Sequence, residues 1–338
     1  MEDQINIYDI AKMAGVSIAT VSRVVNGSAR VSQKTRDKVM AVIEGAGYTP
    51  NVFAQGLGLN TMHTVGILVP TIADMYMSSA VAYLEDALHN AGYDCLLSCS
   101  GFLADQKENH LRMMLSKRVD AMILVGSTYA GSEEETHNTD YIRVAAEKVP
   151  MFLINGLVDG ENIYCTASND YQASFDVTQA MVESGRDKIL FLTDSRSYSA
   201  NQKKKGYEDA LESMGIAIRH TMEIHTRNSV TEVRSLLKNL KAGDFNGIFT
   251  TDDAMAVGAI KYAKDMGIRI PEELVIVGYN DSNLCLVSEP ELTSIDNRVE
   301  MVCRQTVERL VKVIRGDKLV ARKNVVACRL IRRDTTDF

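Results

Sequence analysis

The side chains between residues 17 and 23 have the types that contact base edges in a DNA groove. Ile18 and Ala19 are small and apolar and can touch a thymine methyl group, and Arg23 can donate two parallel hydrogen bonds to guanine O6 and N7. The opposite face of a helix over this stretch would be buried and consists of Val21, Val24 and Val25. The pattern therefore predicts a helix whose outer face can enter the major groove.

A helix-turn-helix is the element that would position these side chains. The apolar residues of a preceding helix recur at helical spacing, at Ile7, Ile10, Ala11 and Ala14. Asn6 and Asp9 have the spacing of an N-terminal cap for that helix. Gly15 can adopt the positive φ of a tight turn, Val16 can point inward, and Ser17 can cap the second helix. An ordinary helical hairpin with a solvated outer face is the alternative that this stretch alone leaves open.

A third helix is predicted after the turn. Val31 and Ser32 provide a hydrophobic staple and a cap, and the helix should end near Gly45 and Gly47. Its predicted buried residues are Val39, Val42 and Ile43. The chain then continues with Tyr48-Thr49-Pro50-Asn51 and Ala54 with Leu57.

Together these motifs closely resemble the LacI/GalR family of bacterial repressors. The matching segments are Ile7-Tyr8-Asp9-Ile10-Ala11, Ala14-Gly15-Val16-Ser17, Thr20-Val21-Ser22-Arg23-Val24-Val25-Asn26 and Gly47-Tyr48-Thr49-Pro50-Asn51. The resemblance implies an all-α DNA-binding headpiece over residues 1–50 and a hinge helix and linker over 51–62. It also implies that the hinge pairs with a second copy and that Leu57 wedges into the minor groove of a palindromic operator. Because Gln55-Gly56 replaces the usual Arg-Ser and Gly58 follows, we expect a poor helix in this hinge.

The helix positions and the resemblance together predict a set of DNA-binding residues. They are Tyr8, Ser17, Ile18, Ala19, Thr20, Ser22, Arg23, Asn26, Arg30, Ser32, Thr35, Tyr48, Asn51, Ala54 and Leu57. Residues 1–60 have 6 lysines and arginines against 5 acidic residues, whereas the rest of the chain has 31 against 39. A weakly basic head on an acidic body is typical of a protein that touches DNA at one end only.

From Thr64 onward, apolar runs alternate with helical periodicity, which predicts parallel sheets flanked by helices. The predicted strands are 65–70, 95–99, 121–125, 151–154, 189–193, 247–250 and 275–279, with a closing strand over 325–330. The predicted helices are 75–90, 106–116, 139–147, 171–183, 202–214, 230–241 and 253–266. The resemblance implies a two-lobed, periplasmic-binding-protein-like α/β domain of doubly wound sheets over 63–338. We expect one lobe over about 63–161 and 292–322, and the other over about 162–291 and 323–332.

A small polar, sugar-like effector is expected in the crevice between the lobes, at the carboxyl ends of the strands. By resemblance its predicted contacts are Met75, Tyr76, Asp170, Lys203, Asp252 and Asn280. Lys203 stands where sugar-binding members have arginine, and Asp252 and Asn280 replace the usual asparagine and aspartate. Asp170 and Asp252 against Lys203 leave this site one unit negative, which favours neutral polyols or amine-bearing sugars over sugar acids and phosphates. Capping residues or a solvated lysine run are the alternatives.

Other classes of function have little support in this sequence. At 338 residues and 46% hydrophobic content, the chain can form a headpiece and one large or two medium domains. It contains no P-loop, dinucleotide or nucleophile-elbow motif and no histidine pair with metal-ligand spacing, so we expect no enzyme, cofactor or metal. The six scattered cysteines are typical of core thiols in a reducing compartment. The first residues lack the pattern of a secretion signal, which favours the cytoplasm.

Two alternative functions are left open by the sequence. A catabolite-control type of regulator, which responds to a phosphorylated carrier protein, has similar DNA-contacting residues, but Glu289 precedes Pro290 where that type has a basic residue. A cytoplasmic sugar-binding protein or an enzyme is the alternative from another class.

Only Ile331 to Phe338 follow Leu330, and this segment is too short for leucine heptads, so we expect a homodimer.

Overall fold

The computed structural model describes residues 5–25, 28, 30–48, 61–131, 139–241 and 243–338. Two compact units make up the chain, one of residues 1–64 with 118–120 and the other of residues 65–117 with 121–338. Among the described residues, no helix combines the length and the hydropathy that a membrane span requires.

The first unit contains three helices, α1 (Ile7–Ala14), α2 (Ile18–Val25) and α3 (Gln33–Ala46). A capping box begins α1, because the Asn6 side chain accepts from the Asp9 amide while the Asp9 carboxylate accepts from the Asn6 amide at 2.9 Å. Gly15 ends α1 with φ at 61°, which allows the sharp turn into α2. The buried residues of this unit are Ile10, Ala11, Ala14, Val21, Val24, Val39 and Ile43. The predicted three-helix fold is confirmed.

The second unit alternates strands and helices. Its first half contains β1 (Thr64–Val69), α4 (Met75–Asn90), β2 (Asp94–Cys99), α5 (Ala104–Leu115), β3 (Ala121–Val125), α6 (Asp140–Ala146), β4 (Met151–Ile154), β5 (Ile163–Ser168) and α7 (Asp170–Glu183). The next elements are β6 (Ile189–Thr193), α8 (Tyr198–Ser213), β7 (Glu223–His225), α9 (Val230–Lys238), β8 (Gly247–Thr250), α10 (Asp253–Met266) and β9 (Val275–Tyr279). The chain ends with α11 (Leu284–Val287), β10 (Thr293–Asp296), α12 (Val299–Ile314), β11 (Lys323–Val326) and β12 (Arg329–Ile331).

These strands form two six-stranded sheets, one in each lobe. The order is β11-β5-β4-β3-β1-β2 in lobe one and β12-β10-β9-β8-β6-β7 in lobe two. The strands β3, β4 and β5 pair in parallel, as do β6, β8 and β9, whereas β12 pairs with β10 in the antiparallel direction. Helices cover the sheets. In lobe one, apolar side chains from α4 and α12 pack into the hydrophobic core, among them Leu84 and Leu310. The predicted two-lobed α/β domain is confirmed.

The predicted lobe boundaries are wrong at three strands. The strand β5 pairs with β4 in lobe one, although lobe two was expected to begin at residue 162. In the same way β10 pairs with β9 in lobe two and β11 pairs with β5 in lobe one. The predicted closing strand over 325–330 is in fact two strands, β11 and β12, in different sheets. Periodicity identifies a buried strand but does not say which sheet supplies its partner.

Candidate DNA-binding surface and ligand crevice

The outer face of α2 is open to solvent. Ile18 is 41% exposed, Ala19 and Arg23 are also exposed, and Val21 and Val24 are buried beneath them. This division follows from helical spacing, because residues three and four apart share a face. The structure therefore places Ile18, Ala19 and Arg23 together on one surface, with Ser22 half-buried beside them.

The start of α2 is fixed by a local cap. The Ser17 hydroxyl accepts from the Thr20 amide at 3.2 Å and lies 2.9 Å from the Thr20 hydroxyl. A cap of this kind satisfies backbone donors that the first helical turn would otherwise leave without partners. Ser17 and Thr20 thus hold the amino-terminal end of α2 in place. Since only one hydroxyl proton is used in the bond between them, the other hydroxyl can donate to a phosphate oxygen.

The other described DNA-binding candidates surround α2. Tyr8 on α1 is 67% exposed, and Arg30 is exposed in the loop before α3. Ser32 caps α3 by accepting from the Thr35 amide, and their hydroxyls lie 2.9 Å apart. Tyr48 is half-buried against the three-helix core. Four further candidates, Asn26, Asn51, Ala54 and Leu57, lie outside the described residues, as does the predicted hinge over 51–60.

Arg36 is a positioning residue that sequence reasoning missed. Its guanidinium donates to the Ser28 carbonyl at 2.7 Å and so ties the loop after α2 to α3. The sequence gives no sign of this role, because an arginine that only faces solvent is equally common on a helix.

A crevice lies between the two lobes of the second unit. Lobe one lines it with Asp74, which caps α4, and with Tyr76 and Ser127, whereas lobe two contributes Asp194, Lys203, Asp252 and Asn280. Ser127 and Ser197 join the two walls through a hydrogen bond of 2.8 Å between their hydroxyls. The crevice thus brings together four of the six predicted contacts: Tyr76, Lys203, Asp252 and Asn280.

Two contacts are predicted in lobe one, Met75 and Tyr76, and the structure places only Tyr76 at the crevice. Met75 is 41% exposed and does not line the crevice, whereas Met77 does. Asp74 is the helix cap and accepts from the Met77 amide at 2.9 Å, so helical rotation carries Met77 to the crevice side of α4 and Met75 away from it. The Tyr76 hydroxyl oxygen is buried with no hydrogen-bond partner among the described residues, and burial raises the pKa of this phenol well above its usual value.

The structure does not bring the predicted contact Asp170 into the crevice, because this carboxylate lies behind the crevice wall. Asp170 is 3% exposed and does not line the crevice. It accepts from the Tyr279 hydroxyl at 2.7 Å and from the Ser199 hydroxyl. Both carboxylate oxygens are thus used within the protein, and they connect α7, α8 and β9.

Lys203 lines the crevice, but its ammonium is engaged by the protein. The Nζ atom lies 3.6 Å from the centroid of the Tyr279 ring and donates to the Thr251 carbonyl at 3.1 Å. The residue is 7% exposed, so the alternative of a solvated lysine is wrong for Lys203. Lys204, its neighbour, pairs instead with Glu223 at 2.8 Å on the surface of the lobe.

Asp252 and Asn280 form a directly bonded pair. The Asn280 amide nitrogen donates to one Asp252 oxygen at 2.8 Å, and the Ala254 backbone amide donates to the other at 2.9 Å. Asn297 in turn donates to the Asn280 side-chain oxygen at 2.8 Å. Asp252 is therefore the cap of α10, whereas Asp253 is buried and accepts from the Ser294 hydroxyl.

The surroundings of Asp252 disfavour its charge. Burial is the largest cause and raises the pKa of this carboxyl. The carboxylates of Asp253, Asp74 and Asp194 raise it further, so that the pKa of Asp252 reaches about 7. A carboxyl with such a pKa gains or loses its proton near neutral pH, and Asp252 therefore has a variable charge within the crevice.

Asp74 and Asp194 are the crevice residues that sequence reasoning missed. Asp194 directly follows β6, and the rule that ligands bind at the carboxyl ends of parallel strands would have found it. Asp74 precedes a predicted helix, and its position as a cap was the available signal. Among the described residues, no group of histidine, cysteine and acidic side chains has the arrangement of a metal site.

Comparisons with known proteins agree with this architecture. A model described as "Bacterial regulatory proteins, lacI family" matches residues 6–51, and a periplasmic binding protein-like domain matches residues 178–336. An HTH-type transcriptional regulator of Lachnoclostridium phytofermentans is 44% identical over 98% of this chain and 100% of its own length. Catabolite control protein A of Priestia megaterium is 33% identical over 86% of this chain and 87% of its own.

Solved structures share the fold. A lac repressor dimer bound to operator and the anti-inducer ONPF has a TM-score of 0.87 at 24% identity and covers 99% of both chains. The complex of the transcriptional regulator CelR with cellobiose has a TM-score of 0.70 at 25% identity over 98% of this chain and 99% of that one.

Proposed function

This chain belongs to the lacI family of bacterial regulatory proteins and is a DNA-binding transcriptional regulator, and from that premise we propose a ligand-controlled repressor. It binds a palindromic operator as a homodimer, and a small polar, sugar-like effector in the inter-lobe crevice controls that binding. It acts by binding alone, with no catalysis. The observation that carries the proposal is the exposed face of α2. This face contains Ile18, Ala19 and Arg23, whereas the valines of the same helix, Val21 and Val24, are buried.

A palindromic site follows from the presence of a single recognition helix. One α2 spans only one half-site, so two copies related by a twofold axis require an inverted repeat. Support for pairing comes from apolar side chains that lobe one leaves exposed on β2, where Leu96 and Leu97 are 38% and 43% exposed. In lobe two, Leu286 and Val287 on α11 are 57% and 76% exposed. Surfaces of this kind are covered when two copies associate.

The polar lining of the crevice supports a small polar effector. Hydroxyls of Ser127 and Ser195, the amide of Asn280 and the carboxylates of Asp74 and Asp194 all face it. Convergent donors and acceptors of this kind fix the orientation of a hydroxylated ligand. The related CelR structure contains cellobiose, which agrees with a sugar-like ligand in this family.

Selection of duplexes from a random pool by the full chain tests this function. We expect an inverted repeat whose two halves are related by the dimer axis, and we expect a small polar metabolite to change the measured affinity. Recovery of no palindrome would exclude the proposed mode of DNA binding. A palindrome whose binding responds only to a phosphorylated carrier protein would instead favour a catabolite-control regulator. Several relatives have the name catabolite control protein A.

A further inference from the structure

The crevice wall is rich in acidic side chains from both lobes. Asp74 comes from lobe one, and Asp194 and Asp252 come from the ends of two neighbouring strands in lobe two. Lys203 is the only basic residue among the described residues that line this crevice. With all carboxylates ionised, the lining has three negative charges against one positive charge.

The ammonium of Lys203 is already held by groups of the protein. Its ammonium already faces the Tyr279 ring and the Thr251 carbonyl, and the side chain is 7% exposed. An anionic ligand would meet three carboxylates against this one engaged ammonium, so the net field of the lining would repel its charge. This arrangement disfavours sugar acids and sugar phosphates.

The acidic side chains keep hydrogen-bonding capacity directed at the crevice. One oxygen of Asp74 accepts from the Met77 amide, and one oxygen of Asp194 accepts from the Thr251 hydroxyl at 3.3 Å. The second oxygen of each carboxylate receives no hydrogen bond from the described residues. Independently of the carboxylates, three buried oxygens of the lining also have no partner among the described residues, namely those of the Tyr76 hydroxyl, the Thr128 hydroxyl and the Asn228 side chain. Buried polar atoms are nearly always paired in native proteins, so these atoms can take a hydrogen bond from a ligand or a water molecule in the crevice.

We propose that the effector is a small polyhydroxylated molecule with a protonated amine, held between the carboxylates of Asp74 and Asp194. This inference rests on the proposed function, since it names the ligand of the same crevice. An ammonium group offers three donors to acceptor oxygens that lack them, and hydroxyl groups of the ligand match the hydroxyl and amide lining.

The position of the two carboxylates also explains how such a ligand would act on the lobes. Asp74 belongs to lobe one and Asp194 to lobe two, so each lobe contributes a carboxylate to the lining of the crevice. A cation between them replaces repulsion by attraction and favours the closed arrangement over an open one. A ligand shifts an equilibrium only by its difference in affinity for the two states, and this charge arrangement supplies such a difference.

A matched panel of ligands tests the proposal on the full chain. The amines are 1-amino-1-deoxysorbitol, glucosamine and galactosamine, the neutral counterparts are sorbitol, glucose and galactose, and the anions are gluconate and glucose 6-phosphate. Thermal shift at about 10 mM ligand followed by calorimetric titration gives the affinities. We expect at least one amine to bind about tenfold or more tightly than its neutral counterpart and the anions to bind more weakly than both.

Asparagine variants separate charge recognition from a structural role. Asp74→Asn and Asp194→Asn should each weaken amine binding by about tenfold or more and weaken binding of the neutral counterpart by less than about threefold. A merely structural role would weaken both ligands alike. Asp105→Asn and Asp244→Asn, exposed positions in lobe one and lobe two, are the matched controls and should leave all affinities unchanged.

Three results would overturn the proposal. They are tighter binding of a neutral or anionic counterpart, no stabilisation by any of the three amines, and equal losses for amine and neutral ligands in the asparagine variants. If the wild-type chain selects a palindrome and a sugar without an amine controls its binding, only the amine is refuted. If no palindrome is selected, the proposed function falls whatever the crevice binds.

Discussion

The amide nitrogen of Asn280 donates to Asp252 at 2.8 Å, and this bond joins the ends of two neighbouring strands at the floor of the crevice. The same carboxylate caps α10 through the Ala254 amide. Asp252 therefore links the ligand site to the start of a buried helix, and its protonation state matters both for folding and for binding.

Stability should fall as pH rises through the titration of Asp252. Its pKa is raised to about 7 by burial and by Asp253, Asp74 and Asp194, so the folded chain retains a proton that the unfolded chain releases at lower pH. The free energy of unfolding should therefore decrease by about 2 kcal/mol more in the wild type than in Asp252→Asn between about pH 5 and pH 8. Urea unfolding of both proteins across this range measures the difference, and parallel pH profiles would contradict it.

Operator specificity should depend on Arg23. A bidentate contact between arginine and guanine is worth about 1 to 3 kcal/mol, so Arg23→Ala should lose preference for the selected palindrome over its base-substituted variants. Arg112→Ala, an exposed arginine on α5, is the control and should keep the wild-type preference. Competition binding at fixed salt gives both ratios, and an unchanged preference in Arg23→Ala would rule out this contact.

The stable species without DNA should be a dimer. Leu97 on β2 is 43% exposed, and burying a leucine contributes about 1.5 to 3 kcal/mol, so Leu97→Asp should shift the protein toward monomer. Val144→Asp on α6, where the valine is 56% exposed, is the matched control. Light scattering and sedimentation at micromolar concentration distinguish the species. A DNA-free tetramer, or an unchanged dimer in Leu97→Asp, would be the contrary finding.

Asp170 should contribute to stability and not to ligand contact. It accepts from two buried hydroxyls, and Asp170→Asn introduces donors where acceptors are required, which should cost about 1 to 3 kcal/mol of unfolding free energy. Asp176→Asn on the exposed face of α7 should change stability by less than about 0.5 kcal/mol. If Asp170→Asn is as stable as the wild type but loses ligand affinity, the assignment to the wall interior is incorrect.

The sequence was sufficient to predict most of the elements, because burial leaves a direct trace in residue type. The predicted bounds of β3, β4, β6, β8, β9, α4 and α10 agree with the structure. The helix α12 was not predicted, although Val302, Cys303, Val307 and Leu310 are buried at helical spacing along it.

The crevice was harder to predict than the fold. The resemblance located the strand ends that approach the ligand, but it did not determine which carboxylate at each end faces the crevice. Asp170 and Asp194 both follow strands of the sheets, yet only Asp194 lines the crevice. The difference is set by Ser199 and Tyr279, which lie far from Asp170 in the chain and bind its carboxylate. Such tertiary partners have no counterpart in local sequence patterns.

The three crossings between the lobes also determine the order in which the protein can fold during synthesis. Lys323 pairs with Cys165, and Leu330 pairs with Ile295, so an edge strand of each sheet is synthesised long after the strand that it pairs with. Neither lobe can complete its sheet while the carboxyl-terminal segment is still in the exit tunnel. Pairings between residues so far apart in the chain form slowly. Nascent chains of this protein should therefore expose unpaired sheet edges until residues 323–331 have left the exit tunnel, which makes them substrates for chaperones.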